Sequence, residues 1–340
     1  MQKYNKKKVR NQVVAKYAKR YVSETMAKHV ESCTSWIKFI ESDGDEKEVV
    51  RKWLRANSCK WRFCPMCAMR KSMRDALKLS TVMSWIEDEH KKAFIMLTLT
   101  MPNVKAADLP DAINRLNEGW RKLFKLRDIA DRVNLGFVRK LEITYDSEKT
   151  ITRDMWLGKG KHKGKPRAEY FTRLGLKIGD ANPNYDTYHP HFHALVAVNK
   201  SYFKSRDYIK HEKWLRYWQE SMQDPTITQV DVRRMKNDDV RELAKYAAKD
   251  EDYTVDKHVF DTFYNALKGR QYQTFGGLFA AGNKKFKAGE LDAYIKPDTT
   301  EYMYEVFYHW CNTEYKQKRR RRLDAKQDCD LTKRGIIIAP

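Results

Sequence analysis

Residues 93–101 (AFIMLTLTM) form an apolar, β-branched run stopped by Pro102-Asn103, the signature of a buried strand and its end. The first ninety residues, before it, read as helical segments around a group of cysteines, closing with a long helix over about 68–87. Residues 108–126 have helical spacing, with Leu109, Ile113, Leu116, Trp120 and Leu123 on one face. Residues 136–145 (GFVRKLEITY) alternate as a strand, and a polar Gly/Lys stretch starts at Gly158. A strand over 191–198 (HFHALVAV), a helix over 205–221 and a strand over 227–234 follow. Residues 237–249 predict a helix capped by Asn237 or Asp238.

The order β-α-β-β-α-β, then a helix, predicts an α+β fold of the ferredoxin-like, split-βαβ kind. Its antiparallel sheet carries helices on one face, its first and third strands are central, and its second pairs with its third. The expected division is a cysteine-bearing N-terminal region over 1–88, a central α+β domain over 89–252 and a C-terminal region over 253–340. That last region is less regular, with a Gly-Gly turn (TFGGLF), aromatic-rich segments and a basic tail.

The chain has 340 residues, of which 41% are hydrophobic and 12% aromatic, so a packed core is available and wholesale disorder is excluded. No apolar run approaches the roughly 18 residues of a membrane span. The basic start, MQKYNKKKVR, has no apolar segment behind it, so the expectation is a soluble cytoplasmic protein that is not secreted. The formal net charge is +23, which calls for a polyanionic partner, nucleic acid first. Eight Lys/Arg and no acid fall in residues 1–20, and Lys316, Lys318, Arg319, Arg320, Arg321 and Arg322 make a second run. A solvated basic surface without a specific task is the alternative.

Six cysteines occur, and CKWRFCPMC sets Cys59, Cys64 and Cys67 in C-x4-C-x2-C with Cys33 upstream. Four thiolates suit tetrahedral Zn²⁺, and C-x2-C forms the tight knuckle that brings two of them together. His29 could replace Cys33, and buried free thiols are the alternative. Cys311 and Cys329 lack partner spacing.

His191 and His193 are two apart on a strand, so both imidazoles leave one face, while Phe192, Ala194, Val196 and Val198 leave the other. With the second face under helices, the histidines point to the sheet's open side; His189, before Pro190, shares their parity. Glu142 alternates with Leu141 and Ile143 on the neighbouring strand and would stand beside the histidines. Such a mixed N/O site suits Mg²⁺ or Mn²⁺ and can polarise a phosphate oxygen. A cross-strand salt bridge is the other reading of Glu142. On the helix over 237–249, Val240, Leu243, Ala244 and Ala247 form an apolar stripe. Glu242, Lys245, Tyr246 and Lys249 fall on the other side at i, i+3, i+4 and i+7. A tyrosine between two lysines fits attack on a phosphodiester, though a solvated helix face has the same pattern.

Together the blocks FIMLTLT, HPHFHALVAV and ELAKYAAK, preceded by CKWRFCPMC, resemble the rolling-circle replication initiators of Gram-positive plasmids, single-tyrosine members of the HUH endonuclease superfamily. The likeness spans roughly residues 59–249 and is weaker at TFGGLF. The resemblance implies an antiparallel-sheet nuclease that nicks one strand at the plasmid's double-strand origin. It implies His191 and His193 as metal ligands, Tyr246 as nucleophile, and Glu242 where two-tyrosine relatives carry a second tyrosine. Glu142 as third ligand rests on strand pairing. The implied partners are duplex and single-stranded origin DNA, a host helicase and a host polymerase, with a homodimer left open and no membrane. A conjugative relaxase or transposase would share the chemistry. A non-catalytic zinc-containing nucleic-acid-binding protein would explain the charge and cysteines but not the His-x-His and Lys-Tyr patterns.

Overall fold

The computed structural model describes residues 1–43, 49–133, 135–164, 166–236, 240, 243 and 248–323. Helix α1 (Gln2–Ala18) leads to α2 (Glu24–Ser32), which is capped by the Ser23 hydroxyl accepting from the Met26 N–H. Strands β1 (Trp36–Glu41) and β2 (Arg51–Ala56) follow, then α3 (Pro65–Glu89), which opens on a proline. The first ninety residues are therefore not all helical. Ile37 and Phe39 turn into a core with Trp53 while Trp36 and Lys38 turn outward, a two-residue period that makes strand.

Next come β3 (Lys92–Thr100), α4 (Leu109–Leu123), α5 (Arg127–Val133) and β4 (Gly136–Asp146). Two short helices, α6 (Arg153–Leu157) and α7 (Ala168–Arg173), precede β5 (Thr187–Asn199), α8 (His211–Met222) and β6 (Val230–Arg234). The Gly/Lys stretch falls in sequence between α6 and α7, whose Met155 and Phe171 pack with Ile151. The last elements are α9 (Asp250–Tyr253), α10 (Lys257–Leu267), β7 (Gln273–Gly276), α11 (Gly277–Ala288), β8 (Tyr304–Cys311) and β9 (Glu314–Arg322).

Among the described residues the strands form two antiparallel sheets, ordered β6-β3-β5-β4-β7 and β2-β1-β8-β9. In the first, β5 lies between β3 and β4, as the pairing argument required. The second joins the region before residue 88 to that after 253, and the basic run 316–322 is its edge strand rather than a tail.

Helices cover both faces of the larger sheet, not one. Ile95, Leu97 and Leu99 of β3 and Phe192, Ala194, Val196 and Val198 of β5 pack with α4, α8 and α10. On the opposite face Phe94, Met96, Val138, Leu195 and Ala197 pack under Val82, Trp85 and Ile86 of α3 and Phe279 of α11. A sheet apolar on both faces must be covered on both. TFGGLF is the junction of β7 and α11. A side chain at Gly276 would meet the Phe137 ring at 2.4 Å, and Gly277 sits at φ +51.

Candidate functional site

The second face of the large sheet is apolar for half its length and polar for the rest. Beyond Met96, Leu195 and Val138 the same parity carries Thr98, Thr100, His193, His191, Lys140 and Glu142. Register brings them together, because His191 pairs with Glu142 and Thr100, and His193 with Lys140 and Thr98. The expected meeting of His191, His193 and Glu142 is present, with their ligand atoms within 4.8 Å of one another.

These three are buried, at 5%, 9% and 2% exposure, so the expected open face is corrected. Val240 and Leu243 pack against the apolar half of that face. The His191 Nδ1–H donates to the His189 carbonyl at 3.0 Å, which leaves a lone pair on Nε2. His193 Nε2 lies 3.1 Å from that atom, and Glu142 Oε2 lies 3.4 Å from His193 Nε2. Thr98 Oγ1, 3.1 Å from His193 Nδ1, steadies that ring. Burial, with His193 and His189 alongside, drives the His191 pKa well below the ordinary imidazole value. Burial alone would raise the Glu142 carboxyl. Contact with His193 and the charges of His191 and Lys140 outweigh it and hold the group well below the usual carboxylate range.

A metal ion fits this arrangement. Glu142 Oε2 is buried with no hydrogen-bond partner among the described residues, its approach to His193 being an ion-pair contact. A buried carboxylate oxygen left so beside a lone-pair nitrogen is the donor set of a divalent cation. A cleft of about 470 Å³ adjoins it through Thr98 and Thr100, lined also by Arg173, His211, Glu169 and Asp231. Lys140, buried and opposite His193, is a site residue the sequence reading passed over. Its parity with Glu142, two residues on, was the available signal.

Cys33, Cys59, Cys64 and Cys67 also come together, with Cys33 rather than His29 as the fourth member. Sulfur separations are 3.6 Å for Cys33–Cys67 and Cys33–Cys64 and 3.7 Å for Cys59–Cys67. A tetrahedron of 2.3 Å metal–sulfur bonds has edges of about 3.8 Å, so the donor set fits zinc. The Lys60 N–H donates to Cys67 Sγ at 3.3 Å from a residue at φ +61, which closes the knuckle. Asn11 donates to Cys64 Sγ at 3.3 Å.

Tyr246, Glu242 and Lys245 lie outside the described residues. The expected helix does not reach Lys249. Ala248 bridges Ile143 of β4, and exposed Lys249 is extended and caps α9. The basic N-terminus is spent inside the protein only in part, and Lys3, Lys6, Lys16, Lys19 and Arg20 are exposed. Lys8 is buried and donates to the carbonyls of Glu31 and Cys33 and to Asn11 Oδ1, while Lys7 and Arg10 pair with Asp250.

Fold and site define a basic α+β protein with a buried His–His–Glu cluster and a four-cysteine cluster. Residues 50–320 match the family described as Replication protein. A Protein rep of Staphylococcus aureus is 40% identical over 261 residues, 76% of this chain and 96% of that protein. A Protein rep of a Bacillus species is 29% identical over 78% of this chain and 83% of its own length. One from Streptococcus pneumoniae is 26% identical over 79% and 74%. The chain belongs to the replication-protein family, which bears out the resemblance to plasmid Rep initiators drawn from its motifs. No solved structure matches it. No described helix is long and apolar enough to cross a membrane.

Proposed function

We propose that the chain is a rolling-circle initiator of the HUH endonuclease type, nicking one strand at a plasmid's double-strand origin. The observation that supports this most is the convergence of His191, His193 and Glu142 beside the cleft at Thr98 and Thr100, in a chain of the replication-protein family. Mg²⁺ or Mn²⁺ held by those three residues would polarise a phosphate oxygen of the scissile group. Tyr246 is the nucleophile. Its phenolic oxygen bonds to phosphorus, the bond to the 3′ oxygen breaks, and the phenol's proton ends on that departing oxygen.

The products are a 5′-phosphotyrosyl link and a free 3′-OH that primes a host polymerase, while a host helicase opens the duplex. Lys245 and Lys249 hold the phosphodiester. After one round Glu242 acts as general base toward water, so that the second cleavage releases the strand by hydrolysis. Zn²⁺ at the four cysteines is structural. A non-catalytic zinc-containing binding protein would leave the buried triad without a role.

The test incubates the protein with supercoiled plasmid carrying the cognate origin and Mn²⁺ or Mg²⁺. The expected result is an open circle with one 5′ end covalently attached at Tyr246. Nicking without an adduct, or no nicking with either metal, overturns the proposal.

A further inference from the structure

The sheet β2-β1-β8-β9 has one face turned into a core by Ile37, Phe39, Trp53, Val306 and Tyr308. Its other face is buried where Ile40 pairs with Lys52, but not at the end of β1 that carries Trp36 and Lys38. Register places Trp36 and Lys38 of β1 on that outward face with His309 and Phe307 of β8. Across the next pairing, Phe307 meets Arg319 and His309 meets Lys316. On the far side Lys38 meets Arg55. Trp36 and Phe307 lie on adjacent strands as a stacked pair, with centroids 5.7 Å apart and planes at 24°. Both are only half-buried, and neither belongs to a hydrophobic core cluster of the described residues.

Basic groups predominate around this pair. The acids of the same face among the described residues are already bound, Glu305 by Lys38 at 3.4 Å and Arg321 at 3.1 Å, and Glu314 by Lys316 at 3.8 Å. Exposed Arg55 and Arg319 make no ion pair among the described residues. Two near-parallel aromatic rings on an exposed sheet face, flanked by unpaired guanidinium groups, suit unpaired nucleic-acid bases with their phosphates at the rim. A duplex hides its base faces by stacking, so the rings have nothing to take from it.

We propose that this outward face is a single-stranded DNA platform, with bases stacking on Trp36 and Phe307 and phosphates held by Arg55 and Arg319. It lies on a different sheet from the histidine cluster. It deepens the reading of the chain as an origin-processing protein by assigning where the opened strand is held, and it does not depend on the cleavage chemistry.

The experiment measures equilibrium binding of the full chain to a fluorescein-labelled oligo-dT strand and to a hairpin duplex, without added divalent metal. Trp36→Leu and Phe307→Leu should each weaken single-strand binding about five-fold to about 150-fold, the range set by loss of one stacked base. They should leave duplex binding within about two-fold, and Trp36→Phe should restore most of the loss. The exposed double variant Arg55→Gln/Arg319→Gln serves as a second probe if the apolar replacements fail to fold. It should flatten the single-strand salt slope by about 1.4, at about 0.7 per phosphate contact. Wild-type single-strand affinity in the aromatic variants overturns the platform, as does an unchanged slope in the arginine pair. An equal loss on duplex and single strand also overturns it, because the face would then be a general duplex surface. Adduct formation with supercoiled plasmid, measured separately, reports on the nicking proposal alone.

Discussion

Replacing Asp250 by Ala tests how the end of the tyrosine-bearing segment is held. Asp250 is 6% exposed at the start of α9, two residues after Ala248 bridges the large sheet. Its carboxylate accepts from Lys7 and, at 3.0 Å, from Arg10, both on α1. Truncation leaves two cations whose side chains are 30% and 25% exposed without their shared counterion. A fully buried pair broken this way costs about 3–5 kcal/mol, and an exposed one about 0–1. The partial exposure, and the second bond of Arg10 to Glu251 at 2.9 Å, place this case near the middle, at about 2 kcal/mol. For a chain of 340 residues that lowers Tm by about 3 °C. Differential scanning calorimetry of Asp250→Ala, Lys7→Gln and the double variant forms a cycle whose coupling should be about 1 kcal/mol. Plasmid nicking should fall several-fold in Asp250→Ala, with duplex affinity nearly unchanged, since the carboxylate removed is buried against α1. A Tm within 1 °C of wild type, or strict additivity in the cycle, would refute the clamp.

The remaining expectations concern the two metal-type clusters and the release step. His193→Ala and Glu142→Gln should each abolish nicking while duplex binding persists, which gel-shift and nicking assays on one plasmid separate; full nicking by either removes it from the site. Protein purified without chelator should carry about one zinc per chain by elemental analysis, and Cys64→Ser should lose it; a metal-free wild type returns the cysteines to buried thiols. Glu242→Gln should still form the phosphotyrosyl adduct yet accumulate products longer than one plasmid unit, and a wild-type ratio of initiation to termination would exclude it as the release base.

The site was legible wherever its signal was local. His-x-His parity follows from the two-residue strand period, and Glu142 from the rule that paired residues share a face. The cysteines were legible because a knuckle needs neighbours in sequence. Pairing of β1 with β8 was not, since Ile37 meets Tyr308 across a separation that no local pattern encodes. The covering of both faces had a sign that went unread. Leu195 and Ala197 share the histidines' parity, and a run apolar at every position marks a strand buried on both sides. Lys8 shows the opposite limit. A lysine among lysines looks solvent-bound, and only the folded chain supplies the carbonyl oxygens that take its three protons.

The four-cysteine cluster stands where separately packed parts of the molecule meet. Cys33 ends α2 just before β1, Cys59 follows β2, and Cys64 caps α3, the helix that covers the apolar half of the histidine-bearing face. Asn11, on the helix that clamps Asp250, donates to Cys64. The cores on either side share no buried residue, since Phe39, Trp53 and Val306 belong to one and Val82, Trp85 and Leu195 to another. Apolar contact alone holds such parts together but tolerates sliding, whereas metal–sulfur bonds of fixed length do not. Transfer chemistry at a phosphodiester loses rate steeply when the reacting groups are misplaced by about 1 Å. Zinc at this junction would therefore serve less to add stability than to fix the small sheet, and any strand lying on it, relative to the histidines.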